Sequence, residues 1–344
     1  MMKLIHRLRG LRGYRTDAGI LICAHREDGN ERFKEVNRAI HNAAEKLRIM
    51  EGSGFSPSLL GEKRESILME DLGESDGVWG FDADDWKDFN RELVKCLIKL
   101  RQMNLRHSDL NGNNIIIKNK KPYFIDWWET HFIDEKPPGK SHLTDAYWLF
   151  TDIQRWVANP GLSDPNRLCR RWGPIHGNLI GSFECSLPMR GKTLLDAGCF
   201  QGDFCAWAAA EMMKITGIDT GGFRSGENSI DIARTIWDGI SNIRFVQADV
   251  MNWPSFNYDV ILFMDTFSHL VKHLGREEPT RLLNRMVNEA GCVFFETQMW
   301  GDRTGLEWLK TQEDVFALVP GATFKEIVTA PEHGVPRTLW RIDK

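Results

Sequence analysis

The sequence has no pair of cysteines at C-x-x-C spacing, no long apolar run and no large excess of either charge. Its seven cysteines stand at 23, 96, 169, 185, 199, 205 and 292, which leaves no zinc or dithiol redox centre of the usual spacing. Reduced, mostly buried thiols in a cytoplasm are the expectation. No stretch approaches the ~18 apolar residues that cross a bilayer. The start is basic, with Lys3, Arg7, Arg9, Arg12 and Arg15, yet lacks the apolar core of a secretory signal. Two readings are open for it: a solvated first strand or helix, or an amphipathic helix making peripheral contact with an anionic membrane. Lys plus Arg number 44 against 48 Asp plus Glu, a net charge of -4. That balance offers no global attraction to nucleic acid, and no nucleic-acid partner is expected. Internal repeats and low-complexity tracts are also missing.

What is present fits a folded protein of two domains. The 344 residues are more than twice the roughly 150-residue prior for one domain. Thirteen Trp and nineteen Phe supply apolar area for two cores. The Pro- and Gly-rich stretch of residues 159–190 reads as a linker between residues 1–158 and residues 191–344.

In the first part, Gly19–Ala24 reads as a buried strand and Phe33–Met50 as an amphipathic helix with Val36, Ile40, Ala43, Ala44 and Leu47 on one face. Ser66–Glu70 reads as a strand and Trp86–Gln102 as a helix, its start favoured by Asp82, Asp84 and Asp85. Asn114–Lys118 and Lys121–Ile125 read as a hairpin that brings Asn114 and Asp126 together at its open end. In the second part, Thr193–Ala197, Thr216–Asp219, Arg244–Ala248, Val260–Met264 and Cys292–Glu296 read as strands separated by helix-length or loop segments. That rhythm predicts an α/β, doubly wound, mostly parallel sheet.

The densest signal is Leu194-Leu195-Asp196-Ala197-Gly198-Cys199-Phe200-Gln201-Gly202-Asp203, an apolar strand turning through glycines into a helix start, where electron-rich groups are favoured. Asp219 ends the next strand, about twenty residues on, placed for a ribose diol. Asp249 and Asp265 close the third and fourth. Four acids at successive strand ends line one crevice in this reading. A dinucleotide fingerprint fits poorly, since G-x-G-x-x-G is missing and Phe200 fills the intermediate slot.

Residues 175–344 here resemble the class I S-adenosylmethionine-dependent methyltransferases. The match rests on Asp196-x-Gly198-x-x-x-Gly202, Asp219, Ala248-Asp249 and Tyr258-Asp259-Val260. The resemblance implies a Rossmann-like domain that binds S-adenosyl-L-methionine through Asp196, Gly198, Gly202, Asp219, Asp249 and Asp265. Gly198 and Gly202 would meet the methionine part, Asp219 the ribose and Asp249 the adenine amine. His269, after the fourth strand, is the candidate general base; an anionic acceptor would need none.

The other motif is His107-Ser108-Asp109-Leu110-Asn111-Gly112-Asn113-Asn114, followed by Ile125-Asp126-Trp127. The order H-x-D-x-x-x-x-N with a later strand-end Asp resembles the protein-kinase-like superfamily, closer to aminoglycoside or choline phosphotransferases and atypical kinases than to protein kinases proper. The resemblance implies an α+β kinase-like domain with Asp109 as catalytic base and Asn114 and Asp126 as Mg2+ ligands. Asp145 would brace the catalytic loop, Glu45 would be the helix glutamate, and Glu70 and Leu72 would lie at an ATP-binding hinge. Two parts of that pattern are missing: a glycine-rich phosphate loop, and a lysine in Ile20–Arg26, with Lys34 the nearest candidate.

The implied protein is a cytoplasmic transferase, peripheral to the membrane if its start docks there. It joins a kinase-like phosphotransferase to a methyltransferase acting on a small-molecule or glycan acceptor. Bacterial kinase–methyltransferase fusions that cap O-antigen polysaccharides have this domain composition in the opposite order. The alternative is a methyltransferase whose kinase-like domain is an inactive nucleotide- or substrate-binding module.

Overall fold

The structure, a computed structural model, describes residues 3–8, 11–24, 30–77, 81–107, 110, 114–127, 130–132, 175, 189–222, 228–298, 306–332 and 335–344. Asp109 and Asp145 lie outside the described residues. The chain divides into two units, Met1–Leu162 and Ser163–Lys344.

In the first unit, β1 (Lys3–Leu8), β2 (Leu11–Thr16), β3 (Gly19–Ala24), α1 (Asn30–Ile49), β4 (Leu59–Lys63) and β5 (Ser66–Met69) follow in order. The strands form an antiparallel sheet in the order β1-β2-β3-β5-β4. The basic start is therefore a strand pair and not a helix. Ile40, Ala43, Ala44 and Leu47 recur at helical spacing on α1 and are all buried, as are Ile22 and Ile67 of the sheet. Each of the Ile and Leu side chains contributes about 1.5–3 kcal/mol when fully buried, and each alanine methyl about 0.8 kcal/mol or less.

Helix α2 (Ala83–Gln102) starts three residues before the expected Trp86, within the acidic cluster, and ends as expected. Asp85 N–H donates to Asp82 Oδ1 at 2.8 Å, satisfying one of the open donors of the first turn. Phe89, Leu93, Val94, Leu97 and Leu100 form its buried stripe. Beyond it come β6 (Leu105–Arg106), β7 (Ile115–Lys118), β8 (Lys121–Phe124) and β9 (His131–Phe132). β6 pairs with β9, and β7 with β8, both antiparallel.

The second unit runs β10 (Thr193–Ala197), α3 (Asp203–Ala210), β11 (Lys214–Asp219), α4 (Ser229–Ile236), β12 (Ile243–Gln247), β13 (Val260–Phe263), α5 (Thr266–Leu274), α6 (Glu277–Glu289), β14 (Cys292–Gln298), α7 (Gln312–Phe316), β15 (Thr323–Glu332) and β16 (Val335–Asp343). The sheet order is β12-β11-β10-β13-β14-β16-β15. The five strands from β12 to β14 are parallel, while β16 runs antiparallel to both its neighbours. This is the doubly wound, Rossmann-like sheet predicted, extended by a long terminal hairpin that the sequence reading did not include. Val260, Ile261, Leu262 and Phe263 are all buried, as a strand covered on both faces requires. Leu195, Ile261, Phe263, Phe295, Trp340 and Ile342 share one core with Leu282, Leu283 and Met286 of α6. Among the described residues, no helix is long and apolar enough to cross a membrane.

Candidate functional site

The strand order reverses at β10. The chain winds outward through β11 and β12 and returns to β13 on the other side of β10. Ligands of open α/β sheets bind outside the carboxyl ends of strands at such a switch point. Here that point is built from the turn after β10 and the residues after β13. Thr266 Oγ1 donates to Ala197 O at 3.0 Å and so ties the two together.

Gly198 and Gly202 have φ of +90° and +81°. A Cβ on Gly198 would fall on Thr266 Oγ1, and one on Gly202 would stand 2.5 Å from the Phe245 ring. Both glycines are thus required by the chain's own packing as well as by left-handed backbone. Phe200, which fills the intermediate slot of the turn, also adopts a positive φ of +50°. Its N–H donates to Asp219 Oδ2 at 3.2 Å.

The four strand-end acids have different surroundings. Asp219 Oδ1 accepts from Gly221 N–H at 2.9 Å and from Ser229 Oγ at 3.1 Å. A carboxylate has about four acceptor positions. With the Phe200 bond, three are engaged within the chain, which leaves room for one hydroxyl donor; displacing Ser229 would admit a second. Asp249 is exposed and caps the short turn Val250–Asn252, accepting from Met251 N–H at 2.9 Å and Asn252 Nδ2 at 3.1 Å.

Asp196 is only 2% exposed, and Cys205 Sγ donates to its Oδ2 at 3.4 Å. Burial pushes its carboxyl up to about 7, against the opposing pull of the Cys205 hydrogen bond. Burial likewise holds the Cys205 thiol well above its ordinary range. The crevice read from the sequence therefore receives Asp219 and Asp249 as accessible acids, while Asp196 lies beneath its floor.

Asp265 adopts a left-handed φ of +56° at the start of α5. Its carboxylate meets Arg337 of β16, with Nη1 to Oδ1 at 2.5 Å. The same Nη1 stands 3.8 Å from Oε2 of Glu296 on β14. His269, one helical turn on, is exposed on α5.

In the first unit, Ile115 pairs with Phe124, and Ile125 N–H donates to Asn114 O at 2.9 Å. Asn114 and Asp126 thereby flank the open end of the β7–β8 hairpin. Asp126 has a φ of +67°, a conformation that Asp tolerates better than most side chains. The pair offers amide and carboxylate oxygens, the donor type Mg2+ takes. His107 is fully buried; its Nε2 hydrogen-bonds Ile125 O at 2.8 Å and its ring packs on Trp127 at 4.7 Å. It braces the segment that carries Asp126.

Glu45 reaches Lys46, its neighbour on α1, with Nζ to Oε2 at 3.0 Å. Lys46 is only 1% exposed and sits 3.6 Å from the centroid of the Phe132 ring. At the candidate hinge, Glu70 Oε2 accepts from Ser58 N–H at 3.1 Å and Ser58 Oγ at 3.0 Å. Leu72 is half-buried beside Asp71, which pairs with Arg15 Nε at 2.6 Å.

No protein-family profile matches the chain. No curated protein matches it either. Among solved structures it is similar to the bifunctional kinase-methyltransferase WbdD, at 22% identity over 45% of this chain and 35% of that one, with a TM-score of 0.39. It is also similar to the N-methyltransferase NodS from Bradyrhizobium japonicum WM9, at 16% identity over 45% of this chain and 88% of that one, TM-score 0.35. A third is magnesium protoporphyrin IX methyltransferase (ChlM) from Synechocystis PCC 6803, solved with bound SAM, at 16% identity over 56% and 92%, TM-score 0.37. The matched part spans about a third of the WbdD chain.

Arg337 and Glu296 did not figure among the residues expected from sequence. The available signal was the short alternation Trp340-Arg341-Ile342-Asp343, which reads as a half-buried strand. Paired beside β14, that strand carries Arg337 to the fourth and fifth strand ends.

Proposed function

We propose that the chain is an S-adenosyl-L-methionine-dependent methyltransferase of a small-molecule or glycan acceptor, with its cofactor site in the second unit. One observation carries the reading: Asp219, at the end of the second strand, is bonded to the N–H of Phe200 in the Gly198–Gly202 turn, at the switch point of a doubly wound sheet. Asp219 would hold the ribose hydroxyls, Asp249 the adenine amine, and the Gly198–Gly202 backbone the methionine part. Bound there, the cofactor supplies an electrophilic methyl group. The chain contributes alignment and a preorganised electrostatic environment. Asp265 and His269 would line the same site, His269 as the candidate base, while buried Asp196 would support the turn from beneath.

Calorimetry with S-adenosylhomocysteine tests this reading. Binding by the wild-type chain that weakens about 10–100-fold in Asp219→Ala is the expected result, the loss of charge-assisted hydrogen bonds. No binding, or an unchanged affinity in the variant, overturns it.

The first unit, residues 1–158 in this reading, is proposed as a kinase-like phosphotransferase with Asp109 as base and Asn114 and Asp126 as Mg2+ ligands. ATP would lie along Glu70 and Leu72. The hairpin that sets Asn114 beside Asp126 supports it. Both activities would then serve one substrate, phosphate first and methyl second. Mass spectrometry with ATP, Mg2+ and S-adenosyl-L-methionine tests the coupling. Loss of methylation on unphosphorylated acceptor in Asp109→Ala supports it, and unchanged methylation removes it.

The second reading, a binding module without phosphotransfer, is favoured by Glu45, which pairs with Lys46 of its own helix while β3 carries no lysine. ATP turnover abolished by Asp126→Ala would rule that reading out.

A further inference from the structure

Among the described residues, three charged side chains meet at the carboxyl ends of β13 and β14, outside the acids and glycines assigned to the ribose, adenine and methionine parts. Arg337 lies on β16 opposite Gln298 of β14, and Glu296 is two residues back along that strand. Period-two alternation puts Arg337 and Glu296 on one face of the sheet. Asp265 reaches the same guanidinium from the turn after β13. Exposure of the side chains falls from 28% for Asp265 to 11% for Arg337 and 5% for Glu296. Such a triad is sunk at its back and open at its front.

Placement singles it out. Asp265 immediately precedes Thr266, whose hydroxyl bonds the β10 turn at Ala197 and stands where a Cβ on Gly198 would be. The carboxylate is therefore next to the turn assigned to the reactive, methionine end of the cofactor. Asp265 is also held at φ +56°. Asp tolerates that conformation better than most side chains, so it is the position of the residue, and not its backbone angle, that marks it.

The charge arrangement then decides what can dock. A guanidinium is a strong receptor for phosphate or carboxylate when its donors face the ligand. Among the described residues, the Arg337 charge is matched by two carboxylates, and the Asp265 carboxylate, the most exposed of the three, offers acceptors only. An incoming anion would meet a carboxylate with its counter-charge already engaged. An N–H or O–H donor would find an oriented acceptor. We propose that Asp265, clamped by Arg337 and backed by Glu296, is the acceptor subsite, and that it selects an uncharged or cationic nucleophile, a hydroxyl or an amine, over a phosphate or carboxylate. Arg337 and Glu296 are positioning residues that fix this carboxylate. The inference rests on the methyltransferase reading. It puts the methyl group on a hydroxyl or amine of the substrate, away from any phosphate added by the other unit.

The test uses the full chain with two small probes, ethanolamine and ethyl phosphate, titrated separately at millimolar concentrations and followed by saturation-transfer NMR. The expected result is an ethanolamine affinity at least about tenfold above that for ethyl phosphate. Glu296→Gln and Asp265→Asn each remove one negative charge at constant shape, and each is expected to erase most of that preference, with ethyl phosphate gaining. Tighter binding of ethyl phosphate by the wild-type chain, binding of neither probe, or a preference unchanged in both variants overturns the proposal. Melting temperatures of the variants report folding, and the wild-type comparison stands even if one of them unfolds. S-adenosylhomocysteine affinity is measured in parallel: its absence defeats the methyltransferase reading, whereas the probe titrations judge the subsite.

Discussion

The two edges of the second unit's sheet are made from the same strands, yet they differ in what they store. At the carboxyl edge, Phe200 and Asp265 hold left-handed backbone, Asp196 is buried with a thiol for a partner, and Arg337 is sunk between two carboxylates. At the amino edge, Asp259 accepts from Thr193 N–H at 2.8 Å, Thr193 Oγ at 3.0 Å and Lys192 Nζ at 3.0 Å, all near the surface. Left-handed backbone and buried charge are not confined to the carboxyl edge, since Met212 at the entry of β11 has φ +62° and Glu211 beside it is buried. What the carboxyl edge adds is their placement at the switch point, where a ligand can use them.

Glycine substitution sharpens the contrast most. Gly202→Val adds a side chain against Phe245 at φ +81°, whereas Gly191→Ala at the amino edge has φ +77° with open space around its Cβ. The first is expected to destabilise by about 2–5 kcal/mol, strain and overpacking together, and the second by about 1–2 kcal/mol from strain alone. Urea denaturation at neutral pH measures both. Equal losses at the two positions would erase the proposed difference between the edges.

Asp196 supplies the next effect, through pH. Its folded carboxyl titrates near 7, against about 3.9 in an unfolded chain. Between those values the folded state holds a proton that the unfolded state has lost, so stability falls as pH rises through that window and levels off above about 7. Asp196→Asn removes the titration and is expected to stabilise by about 1–3 kcal/mol at pH 8, with little change at pH 4. A wild-type stability curve that stays flat or rises from pH 4 to 7, corrected by the same curve for the variant, contradicts this account.

The parallel strands were legible because each is a short apolar run ending in an acid or a glycine turn. Thr193–Ala197 is observed with the predicted bounds, and Val260–Met264 with its last residue released. What escaped depends on partners distant in sequence. Arg337 gains its meaning only after β16 pairs with β14, and the burial of Asp196 depends on α3 laying Cys205 over it. Leu59–Lys63 escaped for a related reason, since its half-exposed residues lack a strong period. In the first unit, the Asn114–Asp126 juxtaposition was legible from a hairpin, a local device, while the Glu45–Lys46 pairing was not.

That hairpin permits a smaller test of whether left-handed backbone marks function in the first unit. Asp126→Gly relieves the left-handed backbone at φ +67°. The expected change in stability lies within about 1 kcal/mol of zero, relief of strain being offset by a more flexible unfolded chain. Mg2+–ATP binding by calorimetry is expected to disappear in the same variant. Loss of stability by several kcal/mol with binding retained would identify Asp126 as a structural residue.

The smallest effects belong to the amino edge. For Asp259, burial pushes the carboxyl upward, but the Thr193 N–H, Lys192 and the Thr193 hydroxyl outweigh it and hold the group below its ordinary range. A depressed folded value means its contribution is present above the unfolded value near 3.9 and is lost as pH falls through the folded one. Asp259→Asn is therefore expected to lose about 0.5–1 kcal/mol at pH 7, allowing for solvent screening, and less at pH 3. Lys192→Ala removes a partner whose side chain is 51% exposed, so its effect should stay within about 0.5 kcal/mol and shrink further in high salt. Urea midpoints at the two pH values and two ionic strengths separate these terms. A Lys192→Ala loss as large as that of Asp259→Asn would mean that the ion pair, and not the backbone hydrogen bond to Thr193, anchors the entry of β13 beside β10.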